Sequence, residues 1–229
     1  GITHVLGFVT EQTGRGLQIE APVSTWWLWQ AALDPLHASL YYDSEILTFQ
    51  VKGPLVEVVS ALMTPLLALA VAAVVALGAM KVARGASYAR LMPPLSLALV
   101  LVFIVFNKVG SPQFHTWLIA PLVLAVVLNR HRAWPTVVLG LLCAGLTQLV
   151  YPIMYGEVLA ANPAGLAVLT ARNVVLVILL VVAVTQLARV PGRRSAAAPV
   201  PAQPEPEPAP APVPALDSDF APQRQPEPD

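Results

Sequence analysis

Phe106-Asn107-Lys108-Val109-Gly110-Ser111-Pro112-Gln113-Phe114 is a short polar hinge between two apolar runs, residues 91–106 and 114–128. Its reading decides the fold. Between runs of that kind the hinge marks the end of one membrane helix and the start of the next, and it puts a lysine, an asparagine and a glutamine at the boundary. Polar and ionisable groups at membrane depth are costly, so by default they mark a site or a pathway. Structural readings compete with that one. Asn107 and Ser111 have the chemistry of helix caps, Pro112 suits a first helical turn, and Lys108 can snorkel to the headgroups.

Composition agrees with a membrane chain. Of the 229 residues, 56% are hydrophobic and 11% charged, far more apolar than a soluble domain with a mixed surface. The formal net charge is zero, and the positive residues lie in short clusters between apolar runs instead of on one basic face, which argues against nucleic-acid binding. Cys143, the only cysteine, lies inside an apolar run. It reads as helix packing, with no disulfide, no CxxC and no zinc spacing. No metal or cofactor motif stands out.

Five apolar runs are long enough to suggest spanning helices: 55–80, 91–106, 114–128, 135–151 and 166–188. The second and third are short and need tilt, thinning or their flanks to complete a crossing. Pro65 and Pro121 are candidate kinks. Charge in the connections sets the orientation: Lys81, Arg84 and Arg90, then Arg130 and Arg132, then Arg189, Arg193 and Arg194 all fall on the cytoplasmic side under the positive-inside rule, two crossings apart each time. The expected class is therefore all-α, a polytopic membrane helical bundle.

The expected division is 1–54, an extracytoplasmic loop and interfacial helix; 55–190, the transmembrane bundle; and 191–229, a disordered cytoplasmic tail. Residues 23–33 carry Trp26, Trp27 and Trp29 in a run too short to span, which fits a helix at the interface. Residues 34–54 form a long polar loop with alternation around Ile46, Thr48, Gln50 and Lys52 that hints at an extended piece. Beyond residue 194 lie 11 of the 23 prolines in Pro-Glu and Ala-Pro repeats, too poor in large apolar side chains to fold.

Arg15, Lys108, Arg172 and Asn173 all lie toward the outer face, where the positive-inside bias does not call for cations. Arg172 falls inside the fifth run, about a turn and a half from its start. One reading is snorkelling, or pairing with Glu20 or Glu57. The sharper one is an anion site for a phosphate, which guanidinium binds in bidentate fashion and lysine as a point charge.

Three stretches carry a family resemblance: Arg15-Gly16-Leu17-Gln18-Ile19-Glu20, the loop from Tyr41-Tyr42-Asp43 to Val51-Lys52-Gly53-Pro54, and the hinge from Phe106 to Phe114. Over roughly residues 8–190 the chain resembles the C-terminal half of glycosyltransferase family 87. These are polytopic GT-C enzymes similar to bacterial polyprenyl-phosphate-mannose-dependent α-mannosyltransferases. The resemblance implies transfer of a sugar, with inversion, from a polyprenyl-phosphate-linked donor to a glycolipid or glycan acceptor outside the cytoplasm, without a cofactor or a metal. It implies Lys108 and Arg15 as phosphate partners, Arg172 third, and Gln113 and Asn107 as hydrogen-bonders to sugar or phosphate.

The general base it implies is an aspartate in a first extracytoplasmic loop, expected upstream of Gly1. The chain begins without a methionine or a signal-peptide pattern, so it is expected to be the C-terminal part of a longer protein. Thr10-Glu11-Gln12 departs from the Tyr-His pair that relatives tend to show there. The alternative reading is a non-catalytic membrane subunit or transporter that uses the same cations to hold an anionic lipid or polysaccharide precursor.

Overall fold

The computed structural model describes residues 16–192, which hold a series of helices and a small β-hairpin. Helix α1 (Thr25–Leu33) follows a 3₁₀ turn begun by Pro22; the hairpin is β1 (Ser39–Asp43) and β2 (Thr48–Lys52). The apolar part comprises α2 (Val56–Ala83), α3 (Tyr88–Phe106), a long broken helix α4 (Ile119–Gln148), the short α5 (Tyr155–Leu159) and α6 (Pro163–Ala188).

Five helical stretches are long and apolar enough to cross a membrane: Val56–Ala83, Tyr88–Phe106, Pro112–Arg130, Arg132–Ile153 and Pro163–Ala188. The chain is an all-α, multi-pass helical bundle. The two runs that are short in sequence reach 19 residues each because the polar flanks join the helices. Pro112, at the first turn of a 3₁₀ segment, opens the third span, where its missing N–H costs no hydrogen bond. At α6, Pro163 stands at the same position, and the Asn162 side chain accepts from the Ala164 N–H at 3.0 Å, a conventional N-cap.

The third and fourth spans are not separated by a loop. Helix α4 runs through both and turns at Asn129, whose backbone (φ −145°, ψ 49°) is non-helical. In a straight helix Leu122 and Gly140 would lie about 27 Å apart. Here a Cβ added at Gly140 would sit 2.5 Å from Leu122 Cδ1, so the two arms fold back on each other. The Asn129 side chain also supplies a donor to the Ala89 carbonyl at 2.6 Å. That carbonyl has no helical partner because Pro93, four residues on, has no N–H.

Helices α3 and α6 are central, with 44% of their apolar windows buried against 17% for α2 and for the first arm of α4. Their seam holds Leu97, Leu101, Ile104, Leu176 and Leu179. A second cluster lies at the hairpin end, where Leu17, Ile19, Trp27, Leu28 and Val51 pack on Val158, Leu166 and Leu169.

In the hairpin Tyr41 pairs with Gln50 and Asp43 with Thr48. The expected extended piece is thus real, and it gains an edge: residues 17–19 lie along β2, with the Val51 N–H on the Leu17 carbonyl (3.0 Å), the Ile19 N–H on the Phe49 carbonyl (3.1 Å) and Gln18 opposite Gln50. The tryptophans of α1 divide their roles. Trp27 Nε1 donates to the Pro54 carbonyl and Trp29 Nε1 to Thr170 Oγ1 on α6, each at 2.9 Å, while Trp26 is exposed.

At the opposite end, Lys81 of α2 is buried and donates to the carbonyls of Ala188 and Val190. The end of α2, the start of α3, the break in α4 and the end of α6 therefore meet there. The Pro-rich tail lies outside the described residues.

Candidate functional site

Residues 18–21 are the point on which the hairpin end is assembled. Gln18 donates its N–H to the Lys108 carbonyl (3.0 Å), and its side-chain oxygen accepts the Gly110 N–H (3.1 Å). Gly110 is required by the closeness of that docking: a Cβ there would lie 2.2–2.3 Å from the main chain of Glu20 and Ala21, which no side chain tolerates. From α6, Arg172 Nη2 donates to the Glu20 carbonyl. From α5, the Tyr155 hydroxyl donates to Glu20 Oε1 at 2.7 Å.

The placement of Arg172 follows from periodicity. Leu169, Arg172, Asn173, Leu176 and Leu179 all lie on the buried stripe of α6, at the i, i+3, i+4 spacing of one helical face. Arg172 is accordingly 1% exposed. Its guanidinium meets the main chain of Glu20 and not a carboxylate oxygen, so the anticipated Glu20 contact exists in a different chemical form. Next to it, Asn173 Nδ2 donates to Thr25 Oγ1 at 2.8 Å and ties α6 to α1.

The hinge is partly occupied with its own geometry. Asn107 Oδ1 accepts the Val109 N–H at 3.0 Å, a local side-chain turn of the type asparagine favours. Ser111 precedes the helical turn without capping it through its side chain, and Gln113 is exposed on that turn. Lys108 is 5% exposed, and burial holds its ammonium below the usual lysine range. An anion near a buried lysine favours its charged form. Arg15 lies outside the described residues.

Four buried side-chain atoms around these elements have no hydrogen-bond partner among the described residues: Glu20 Oε2, Arg172 Nε, Asn173 Oδ1 and His115 Nε2. His115 stands three residues after Pro112, and its Nδ1 faces the Pro112 carbonyl at 3.1 Å. Burial raises the Glu20 carboxyl above its ordinary value of 4.5, against the opposing pull of the Tyr155 hydroxyl and the Arg172 charge. Burial, with Glu20 next to it, likewise pushes the Tyr155 phenol far up.

A cleft of about 910 Å³ opens at the same end, lined among others by Tyr41, Lys52, Gly53, Glu57 and Ser60. Lys108, Arg172, Asn107 and Gln113 are not among its lining residues. The Tyr41 hydroxyl is anchored on Gln50 Oε1 at 3.1 Å. Compared with family models, curated proteins and solved structures, the chain matches none. What the site can do is read from its own chemistry: a largely apolar cleft whose described lining includes one cation, Lys52, and one carboxylate, Glu57, next to a junction that holds Lys108 and Arg172.

Sequence reasoning brought Lys108, Asn107, Gln113 and Arg172 to this end, and the hinge and α6 do meet on residues 18–21. It missed His115 and Tyr155. The signal for His115 was the one applied to Arg172, a titratable residue inside an apolar run. Tyr155 carried no signal beyond being an aromatic in a loop.

Proposed function

We propose that this chain is the C-terminal part of an integral-membrane glycosyltransferase. It transfers a sugar, mannose by resemblance, from a polyprenyl-phosphate donor to a glycolipid or glycan hydroxyl. The site is at the hairpin end of the bundle, which the positive-inside rule assigns to the extracytoplasmic side of the cell membrane. One observation supports this above the rest. Two of the stretches that carry the family resemblance, 92 residues apart at Gln18 and Gly110, are hydrogen-bonded to each other, and the buried cations Lys108 and Arg172 belong to that junction.

In this reading the bond between the anomeric carbon and the donor phosphate oxygen breaks as the acceptor oxygen attacks from the opposite face. The phosphate leaves with the electron pair, and the acceptor proton goes to a carboxylate base that the resemblance expects upstream of Gly1. Preorganised cations aimed at the developing phosphate charge lower the barrier. Lys108 and Arg15 have that role, and Asn107 and Gln113 hydrogen-bond the sugar phosphate. Arg172, with a guanidinium committed to the Glu20 main chain, is a positioning residue. The cleft falls within the range of about 300–1,000 Å³ usual for ligand sites, and Tyr41, Lys52 and Glu57 give it hydroxyl and charged partners for a sugar.

The test is Lys108→Ala in the full-length protein, with sugar transfer from a synthetic polyprenyl-phosphate donor measured in parallel with membrane accumulation. A drop of 10²-fold or more in transfer, on the scale of losing one electrostatic stabiliser, is expected with accumulation unchanged. Near-normal transfer would remove Lys108 from the mechanism. Movement of the lipid-linked sugar across the membrane without a new glycosidic bond would favour a transporter instead.

A further inference from the structure

The opposite end of the bundle holds a second charged cavity that this transfer chemistry does not use. Its volume is about 430 Å³, and Arg90 from the start of α3, Arg132 from the break in α4 and Arg189 just past α6 all line it. Apolar residues line it as well, Pro93, Pro94, Ala125 and Ala133 among them. The arginines are exposed. Three separate elements thus contribute three arginines to the lining of one small cavity.

Three like charges around one cavity repel one another unless something neutralises them. No carboxylate among the described residues does so. The described residues contain six carboxylates, Glu20, Asp34, Asp43, Glu45, Glu57 and Glu157. They lie in the hairpin-end segments 16–57 and 155–159, and none lines this cavity. Specific contacts join the elements that carry these arginines. Asn129 ties the α4 break to the Ala89 carbonyl next to Arg90 (2.6 Å), and Lys81 ties the end of α2 to Ala188 and Val190 on either side of Arg189.

We propose that this cavity binds a phosphate-bearing anion, with three guanidiniums sharing its oxygens and the apolar wall taking the group attached to it. Guanidinium presents a planar fork that matches phosphate oxygens in bidentate fashion. The cavity lies at the ends of four spanning stretches, the depth at which basic pockets between helices meet anionic headgroups. An anionic phospholipid is thus one source of the phosphate, and a free phosphate is the other.

The experiment uses the full chain, purified in mild detergent and returned to nanodiscs of phosphatidylglycerol or of phosphatidylcholine. Retained lipid is read by native mass spectrometry, and thermal stability is read alongside, with inorganic phosphate as a third arm. Phosphatidylglycerol is expected to be retained at least tenfold over phosphatidylcholine and to raise the unfolding temperature, with the preference lost in the Arg90→Gln, Arg132→Gln, Arg189→Gln triple variant. The corresponding triple lysine variant keeps the charges that set membrane orientation but not the forks, and it is expected to retain severalfold less lipid than the parent. Equal retention of both lipids, or full retention in the lysine and glutamine variants, overturns the proposal. Stabilisation by inorganic phosphate as large as that by phosphatidylglycerol overturns the lipid source and assigns the cavity to a free anion.

Discussion

Arg172, at the hairpin end, is 1% exposed and donates into the main chain of Glu20, whereas Arg90, Arg132 and Arg189, at the other end, are exposed around a cavity. The first arginine has its charge directed at the protein. The other three are open to solvent. The same side chain therefore predicts two kinds of sensitivity. Removing the buried arginine leaves an acceptor unpaired inside the fold, while removing an open one changes what the surface attracts and leaves the fold intact.

The largest effect in this comparison is expected at the junction on which Arg172 acts. Gly110→Val places branched carbons inside the main chain of Glu20 and Ala21, and neither backbone can yield. A loss of about 3 kcal/mol or more is expected, seen as a large fall in unfolding temperature in detergent. An unchanged transition would mean that the hinge is not docked on residues 18–21. Arg172→Met comes next. It removes the donor to the Glu20 carbonyl in a buried setting and should cost about 3 kcal/mol, measured by the same unfolding. A cost under 0.5 kcal/mol would place Arg172 with the open arginines and end the distinction.

Glu20→Gln probes the same junction through pH. The native carboxyl holds its proton to higher pH than the unfolded chain does. Its contribution is therefore complete below about pH 4.5, the ordinary value, and is lost as pH rises through the raised native value. The parent should become less stable over that window relative to Glu20→Gln, whose amide does not titrate. Parallel profiles for the two proteins would count against a strained carboxylate. The smallest effect is expected for Arg90→Gln, which should shift unfolding by no more than about 0.5 kcal/mol while lowering retention of an acidic lipid. A large destabilisation there would show that Arg90 is a structural residue after all.

The helical bundle was legible because hydrocarbon thickness demands long apolar runs, and five such runs stand in the sequence where five long apolar helices are found. Their ends were less legible. Residues 112–113, polar by composition, are helical in the third span, since a proline at a first turn and exposed polar neighbours cost little there. Between the apolar runs ending at 128 and starting at 135, Arg130 and Arg132 mark a connection in the sequence, yet helix continues through it and the chain turns on a single residue, Asn129, braced by a side-chain bond to Ala89.

For the candidate site, sequence identified residue types out of place in an apolar run, which brought out Lys108 and Arg172. It could not tell which polar atoms face one another. That the Arg172 guanidinium meets a carbonyl and that Tyr155 reaches Glu20 across 135 positions are results of helix packing, which no local pattern encodes.

The tie from Lys81 to the carbonyls of Ala188 and Val190 spans 107 and 109 positions, and it has a consequence for biogenesis. When α2 first enters the membrane, the residues that will accept the Lys81 ammonium have not been synthesised. Through the insertion of three further spans its charge must be kept in water or at the headgroups. Only when the last helix is delivered can that lysine be buried. The step that closes the bundle therefore coincides with the arrival of its final segment, and a chain halted before residue 188 would leave a cation at the membrane surface by which an unfinished molecule can be told from a finished one.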